Sequence, residues 1–255
     1  MTSGDVELWL TSPGDLDDAG LAACLALLSP PEHARHLALH FERHRREHLA
    51  TRALARGVLT RYRPTTTPAS LAFAANRWGR PQLDPPGPPF FNLSNSQALI
   101  ACAVADVEVG VDLEPLGRAA DVLGLAPDVF SPREQAELEA LPSSSQPGRA
   151  LTLWTLKESY IKARGMGLAL PLDRFSFSFD GDDIVFTAEP ELDGDPGRWR
   201  FLLYDVRGHR LALCREGDGD VRAVWVHPLV STRAPTSQPL ALLASSSSSR
   251  GSPRG

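Results

Sequence analysis

The chain has 255 residues, 42% hydrophobic and 22% charged, with a formal net charge of −5. That is enough chain for one large folded unit or two small ones, and the acidic balance argues against general nucleic-acid binding. Three scattered cysteines without a CxxC pair read as reduced thiols, not a disulfide or zinc framework. The first ten residues do not read as a secretory leader, and no apolar run approaches the roughly 20 residues that span a bilayer. The expected location is the cytoplasm.

Val6–Leu10 reads as a first strand, and residues 15–28 carry apolar side chains at helical spacing. Ser29-Pro30-Pro31-Glu32 is a helix start, with Ser as N-cap and Pro in the first turn. Helix is predicted onward to Tyr62, with a break near residues 43–45, until Pro64 stops it. Residues 76–89 (NRWGRPQLDPPGPP) are loop by their Gly and Pro content. Strands are predicted at 90–93, 99–105 and 109–114. Ser131-Pro132-Arg133-Glu134 opens a second capped helix, and a third runs from Arg149 to Arg164, ended by Gly165 and Gly167. Five more strands are predicted at 175–179, 184–187, 199–204, 209–214 and 224–226. Residues 231–255 are Ser, Pro and Arg low complexity and are expected to be disordered. The expected fold is α+β: two similar subdomains, 1–108 and 109–230, each a small, mainly antiparallel sheet packed with helices.

Of 26 Lys and Arg residues only two are lysines, Lys157 and Lys162, and both lie in one segment. Lysine is a compact ammonium whose pKa shifts on burial, whereas arginine is a planar fork that stays charged. Chemistry that needs a point-like amine would explain the exceptions.

In Gly110-Val111-Asp112-Leu113-Glu114, side chains two apart share a strand face, so Asp112 and Glu114 project together. Either that face is solvated, or a cation sits between the carboxylates. In the helix of Trp154, Glu158 and Lys162, positions four apart form a stripe of aromatic, acid and base. An ordinary amphipathic helix gives the same spacing. Taken together, three carboxylates suit Mg²⁺, which prefers oxygen ligands and leaves room for water and phosphate. A nearby lysine suits cleavage of a pyrophosphate.

GVDLEP followed by WTLKESYIKARGMGL resembles the paired signature of the Sfp-type 4′-phosphopantetheinyl transferases, usually GVDIE and WxxKEAYxKAxGxGL. Gly79-Arg80-Pro81 resembles the family's G-[KR]-P loop, Phe91–Ser96 its FNLSHS turn, and Phe130–Glu134 its F-S-x-x-E helix start. The resemblance implies two subdomains forming a pseudo-dimer. It implies transfer of the 4′-phosphopantetheine arm of coenzyme A to a serine of an acyl or peptidyl carrier protein, with release of 3′,5′-ADP. It further implies Asp112, Glu114 and Glu158 as ligands of Mg²⁺ (or Mn²⁺), with Glu158 also the base for the serine hydroxyl. Lys162 would contact the CoA phosphates and help the leaving group, with Lys157 as a second motif lysine. Trp154 would be structural at the site wall. Arg80 and Pro81 would lie near the adenine, Arg46 and Arg52 near the 3′-phosphate, and Ser94 and Asn95 in the phosphate-contacting turn.

One departure stands out: the family's turn has histidine where this chain has Asn95, which donates without charge. Two alternatives keep the same residues: a CoA- or carrier-binding relative without transfer, and a metal-dependent hydrolase of the CoA pyrophosphate. The protein is expected to be a monomer, with no nucleic-acid or membrane partner. The run His33, His36, His40, His44 and His48 reads as a solvated helix face. The arginine-dense stretch around it reads either as helix surface or as a local field that collects anionic CoA and an acidic carrier helix.

Overall fold

The computed structural model describes residues 4–96, 98–226, 236–237 and 240–246. In chain order these form β1 (Val6–Thr11), α1 (Asp18–Leu25), α2 (Pro30–Ala38), α3 (Glu42–Leu59), β2 (Phe73–Ala75), β3 (Pro81–Leu83), β4 (Phe90–Asn95), β5 (Ile100–Ala105) and β6 (Val109–Pro115). There follow α4 (Ala119–Gly124), α5 (Ala126–Val129), α6 (Pro132–Glu139) and α7 (Gln146–Arg164). The last strands are β7 (Phe175–Asp180), β8 (Asp183–Ala188), β9 (Trp199–Val206), β10 (His209–Glu216), β11 (Val221–Trp225), β12 (Thr236–Ser237) and β13 (Ala241–Ser245). The fold is α+β. Among the described residues no helix is long and apolar enough to cross a membrane.

One sheet has the order β12-β11-β1-β5-β4, and a second has β6-β10-β9-β13-β8-β7. Strand β5 reads IACAVA and is buried along its whole length. Ile100, Cys102 and Val104 pack toward α3, while Ala101, Ala103 and Ala105 join a core between the two sheets. A strand covered on both faces reads as a continuous apolar run, as here. Strand β6 alternates instead. Val109, Val111 and Leu113 enter the core between the sheets, leaving Gly110, Asp112 and Glu114 for the opposite face. The sheet edges are sewn together by side chains: Val111 N–H donates to Asn92 Oδ1 at 3.0 Å and Leu113 N–H to Ser94 Oγ at 3.0 Å. Asn92 and Ser94 thus satisfy backbone donors that an unpaired edge would leave bare.

Four expectations change. The long early helix breaks at residues 39–41, not 43–45, giving α2 and α3. The histidine run is therefore split. His36 and His48 stack at 6.1 Å, and burial lowers both pKa values, so they are not a solvated face. The boundary at 108/109 is crossed back, because β11 pairs in parallel with β1 and fills that strand's second edge. In the expected disordered tail, β12 pairs with β11, and β13 inserts between β9 and β8. The apolar stretch Leu240–Ala244, masked by its Ser-rich neighbours in a composition reading, supplies the sheet-forming residues. The remainder of that tail lies outside the described residues.

Candidate active site

The site begins with a missing side chain. A Cβ on Gly110 would stand 2.1 Å from the Ser159 carbonyl oxygen and 2.4 Å from the Ala163 nitrogen. Only glycine lets the backbone of α7 lie directly on β6. This contact brings Glu158 and Lys162, one helical turn apart, beside the face that carries Asp112 and Glu114. Helix α7 ends where Gly165 takes a left-handed φ of +62°. There Asn76 Nδ2 donates to the Gly165 carbonyl at 2.7 Å, docking the 76–81 loop on the helix end.

Lys162 Nζ donates to Asp112 Oδ1 at 2.6 Å and to Ser94 Oγ at 3.1 Å, and the Ser94 hydroxyl donates to the same Asp112 oxygen at 3.1 Å. Glu114 accepts from Trp154 Nε1 on Oε1 at 2.9 Å and from Arg118 Nη1 on Oε2 at 2.6 Å. Asp112 Oδ2 is buried with no hydrogen-bond partner. Burial pushes the Glu158 carboxyl up to about 7, and the charges of Asp112 and Glu114 add to the rise against the pull of Lys162. The three expected carboxylates and the lysine therefore share one electrostatic environment.

Two grooves meet at this point. The larger, about 860 Å³, is lined by Ser94, Asn95, Asp112, Glu114, Arg118 and Lys162, with Glu47 and His209 at its wall. The second, about 480 Å³, is lined by Trp78, Arg80, Pro81, Trp154, Glu158 and Lys162. Lys162 belongs to both, so the acids of the strand and the acid of the helix face different grooves across one ammonium.

Other expected residues stand elsewhere. Lys157 is not in the cleft and the structure gives it no catalytic place. Its side chain and that of Glu134 are both fully buried and meet at 2.8 Å, and Nζ also donates to the Leu172 and Phe175 carbonyls at 2.7 and 2.8 Å. Three donors thus meet three acceptors, which is what a buried ammonium requires. Glu134 accepts as well from Ser131 N–H and Phe177 N–H, both at 2.9 Å, so the F-S-x-x-E start ties α6 to β7 and α7. Arg46 is turned to the Leu16 carbonyl at 3.1 Å and to Glu42, away from both grooves. Arg52 is held by Glu32 at 2.7 Å but lines a small groove of about 270 Å³ that shares Glu47 and Asn95 with the larger one. Arg80 lines the second groove, with its guanidinium bound to Glu108 and to the Ala163 and Val109 carbonyls at 2.9 and 3.2 Å. Asn95 donates its amide to the Glu47 carboxylate.

Arg118, Glu47 and His209 were not foreseen. Arg118 lies on the turn just after β6, four residues past Glu114, and that spacing is the one signal that could have found it. His209 comes from the distant β10: Nδ1 lies 2.9 Å from the Arg207 carbonyl, which can only accept, so Nδ1 carries a proton. Its Nε2 then meets the Ser96 hydroxyl at 2.8 Å, fixing the turn beside Asn95.

Among the described residues no three His, Cys, Asp or Glu side chains stand grouped as a metal ion would need them. Lys162 and Arg118 hold Asp112 and Glu114, and Glu158 faces the second groove. The donor set nevertheless suits Mg²⁺, being carboxylate oxygen throughout, with one buried oxygen, Asp112 Oδ2, lacking any other partner.

The sequence pattern of the 4′-phosphopantetheinyl transferase superfamily matches residues 108–214. The 4′-phosphopantetheinyl transferase HetI of a Nostoc species is 36% identical over 176 residues, covering 66% of this chain and 72% of HetI. The transferase Sfp of Bacillus subtilis is 31% identical over 147 residues, covering 57% of this chain and 63% of Sfp. A holo-(acyl-carrier-protein) synthase structure from Bacillus anthracis matches 44% of this chain and 97% of that one, with 17% identity and a TM-score of 0.37. With HetI matched over more than two thirds of its length, the chain belongs to the 4′-phosphopantetheinyl transferase superfamily.

Proposed function

We propose that this enzyme transfers 4′-phosphopantetheine from coenzyme A to a serine of an apo-carrier protein, leaving 3′,5′-ADP. The observation that carries the reading is the place of Lys162 between the strand acids and the helix acid: its ammonium lies 2.6 Å from Asp112, and the Glu158 carboxyl feels Asp112, Glu114 and Lys162 together. The serine oxygen attacks the phosphorus on the pantetheine side, and the bond to the bridging oxygen breaks. Glu158, beside Lys162 on the groove-facing side of the helix, takes the hydroxyl proton directly or through water. Lys162 stands ready to meet the charge growing on the leaving group. Mg²⁺ held by Asp112, Glu114 and Glu158 would neutralise charge on the pyrophosphate oxygens, and Mn²⁺ takes the same donors.

Ser94 and Asn95 fit the phosphate end of the larger groove. Arg80 and Pro81 fit the adenine, with Arg80 contributing its aliphatic stem because its guanidinium is engaged. Arg52, on the small groove that adjoins the larger one, fits the 3′-phosphate, whereas Arg46 is turned to the Leu16 carbonyl and Glu42 and lines neither groove. The same reading makes the protein a cytoplasmic monomer whose protein partner is the carrier.

The test is transfer of labelled phosphopantetheine from CoA to an apo-carrier. Glu158→Gln should abolish it while the thermal melt stays cooperative; full activity in that variant removes Glu158 from the mechanism. Release of 4′-phosphopantetheine without a carrier would point to hydrolysis instead.

A further inference from the structure

Of the four carboxylate oxygens of Asp112 and Glu114, three have partners, and a cation supplies a partner to each residue. Lys162 and Ser94 share Asp112 Oδ1, Trp154 holds Glu114 Oε1, and Arg118 holds Glu114 Oε2 at 2.6 Å. Trp154 is fixed in α7 and packs against its core. Arg118 is different. It sits on the short turn Leu116–Arg118, its side chain is 45% exposed, and it lines the larger groove. Glu114, at 10% exposure, is poorly placed to stand without a counter-charge. Arg118 itself reaches water, so it can leave once another cation meets Glu114.

We propose that Arg118 is an exchangeable counter-cation. It neutralises Glu114 while no metal is bound. When CoA and metal enter together, it yields that oxygen and donates to a phosphate of CoA. A guanidinium suits both tasks, since its planar fork matches carboxylate and phosphate oxygens alike. The inference rests on the transferase reading above and adds a residue to it.

Two effects of opposite sign follow. A cation that competes for Glu114 weakens metal binding when CoA is absent. The same cation, once moved to a phosphate, strengthens CoA binding. Metal and CoA then depend on each other, because each removes the competition that the other faces. An arginine that merely held a turn in place would not move the two affinities in opposite directions.

Calorimetry on the full chain tests this. Mg²⁺ alone, and CoA in the presence of Mg²⁺, are titrated into the wild type, Arg118→Ala and Arg118→Lys, with no carrier present. Arg118→Ala should bind Mg²⁺ alone about fivefold more tightly and CoA about fivefold more weakly. Arg118→Lys, which keeps the charge but loses the fork, should fall between the two on both measures. Unchanged or weaker Mg²⁺ binding by Arg118→Ala overturns the proposal, and so does unchanged CoA binding. An Arg118→Ala variant that binds CoA but no Mg²⁺ overturns the metal reading and this inference with it. A wild type that binds no CoA overturns the transferase reading.

Discussion

Helix α7 carries two lysine–carboxylate pairs. Lys157 meets Glu134 at 2.8 Å with both side chains at 0% exposure, whereas Lys162 meets Asp112 at 2.6 Å with exposures of 26% and 7%. The chemical groups and the distances are nearly the same. The surroundings differ. Lys157 has two carbonyls as further acceptors and the Phe175 ring beside it, so every proton of its ammonium is committed. Lys162 opens onto two grooves and has an acid one turn away whose pKa burial raises to about 7. A sealed pair fastens elements together, and an open one is free to exchange partners.

The comparison can be broken most forcefully at Lys157. Lys157→Ala leaves Glu134 buried without its counter-charge and should cost about 3–5 kcal/mol of stability in urea unfolding. Transfer per folded molecule should stay at the wild-type level. Intact stability with lost transfer would place Lys157 in the reaction after all. Lys162→Ala should show the reverse balance: transfer lower by about 10²-fold, with a smaller loss of unfolding free energy than Lys157→Ala, because the ammonium of this pair is 26% exposed.

The smallest effect sharpens the comparison through pH. In the metal-free protein the Glu158 carboxyl is raised from an ordinary 4.5 to about 7, chiefly by burial. A raised folded-state pKa contributes stability that is complete below 4.5 and is lost as pH climbs through 7. Glu158→Gln is neutral throughout. With chelator present, its stability should exceed that of wild type by roughly 1–3 kcal/mol at pH 8, a gain that shrinks toward pH 5. Parallel pH curves for the two proteins would show that folding does not raise the Glu158 pKa.

Much of the site was legible where spacing alone decides geometry. Asp112 and Glu114 share a strand face, Glu158 and Lys162 share a helix face, and both pairs hold in the structure. The scarcity of lysine marked the right helix and both its lysines, without separating the one in the cleft from the one in the core. Whether an amine faces a cleft or a core depends on what the fold places opposite it, here Glu134 from α6 and two carbonyls after α7. Arg118 stands four residues past Glu114, but on a turn after a strand, where the helical i,i+4 rule does not hold. His209 and Glu47 reach the groove only through sheet register and helix packing, which no local pattern encodes. The apolar strand at 241–245 was hidden by the composition of its neighbours.

The parallel pairing of β11 with β1 ties the order of synthesis to the order of assembly. Strand β1 leaves the ribosome early, but one of its edges finds its partner only when Val221–Trp225 emerges. Until then the growing chain presents an open row of backbone donors and acceptors, a template for adventitious strand addition. Closing that edge joins residues more than two hundred positions apart, a loop entropy recovered only late in folding.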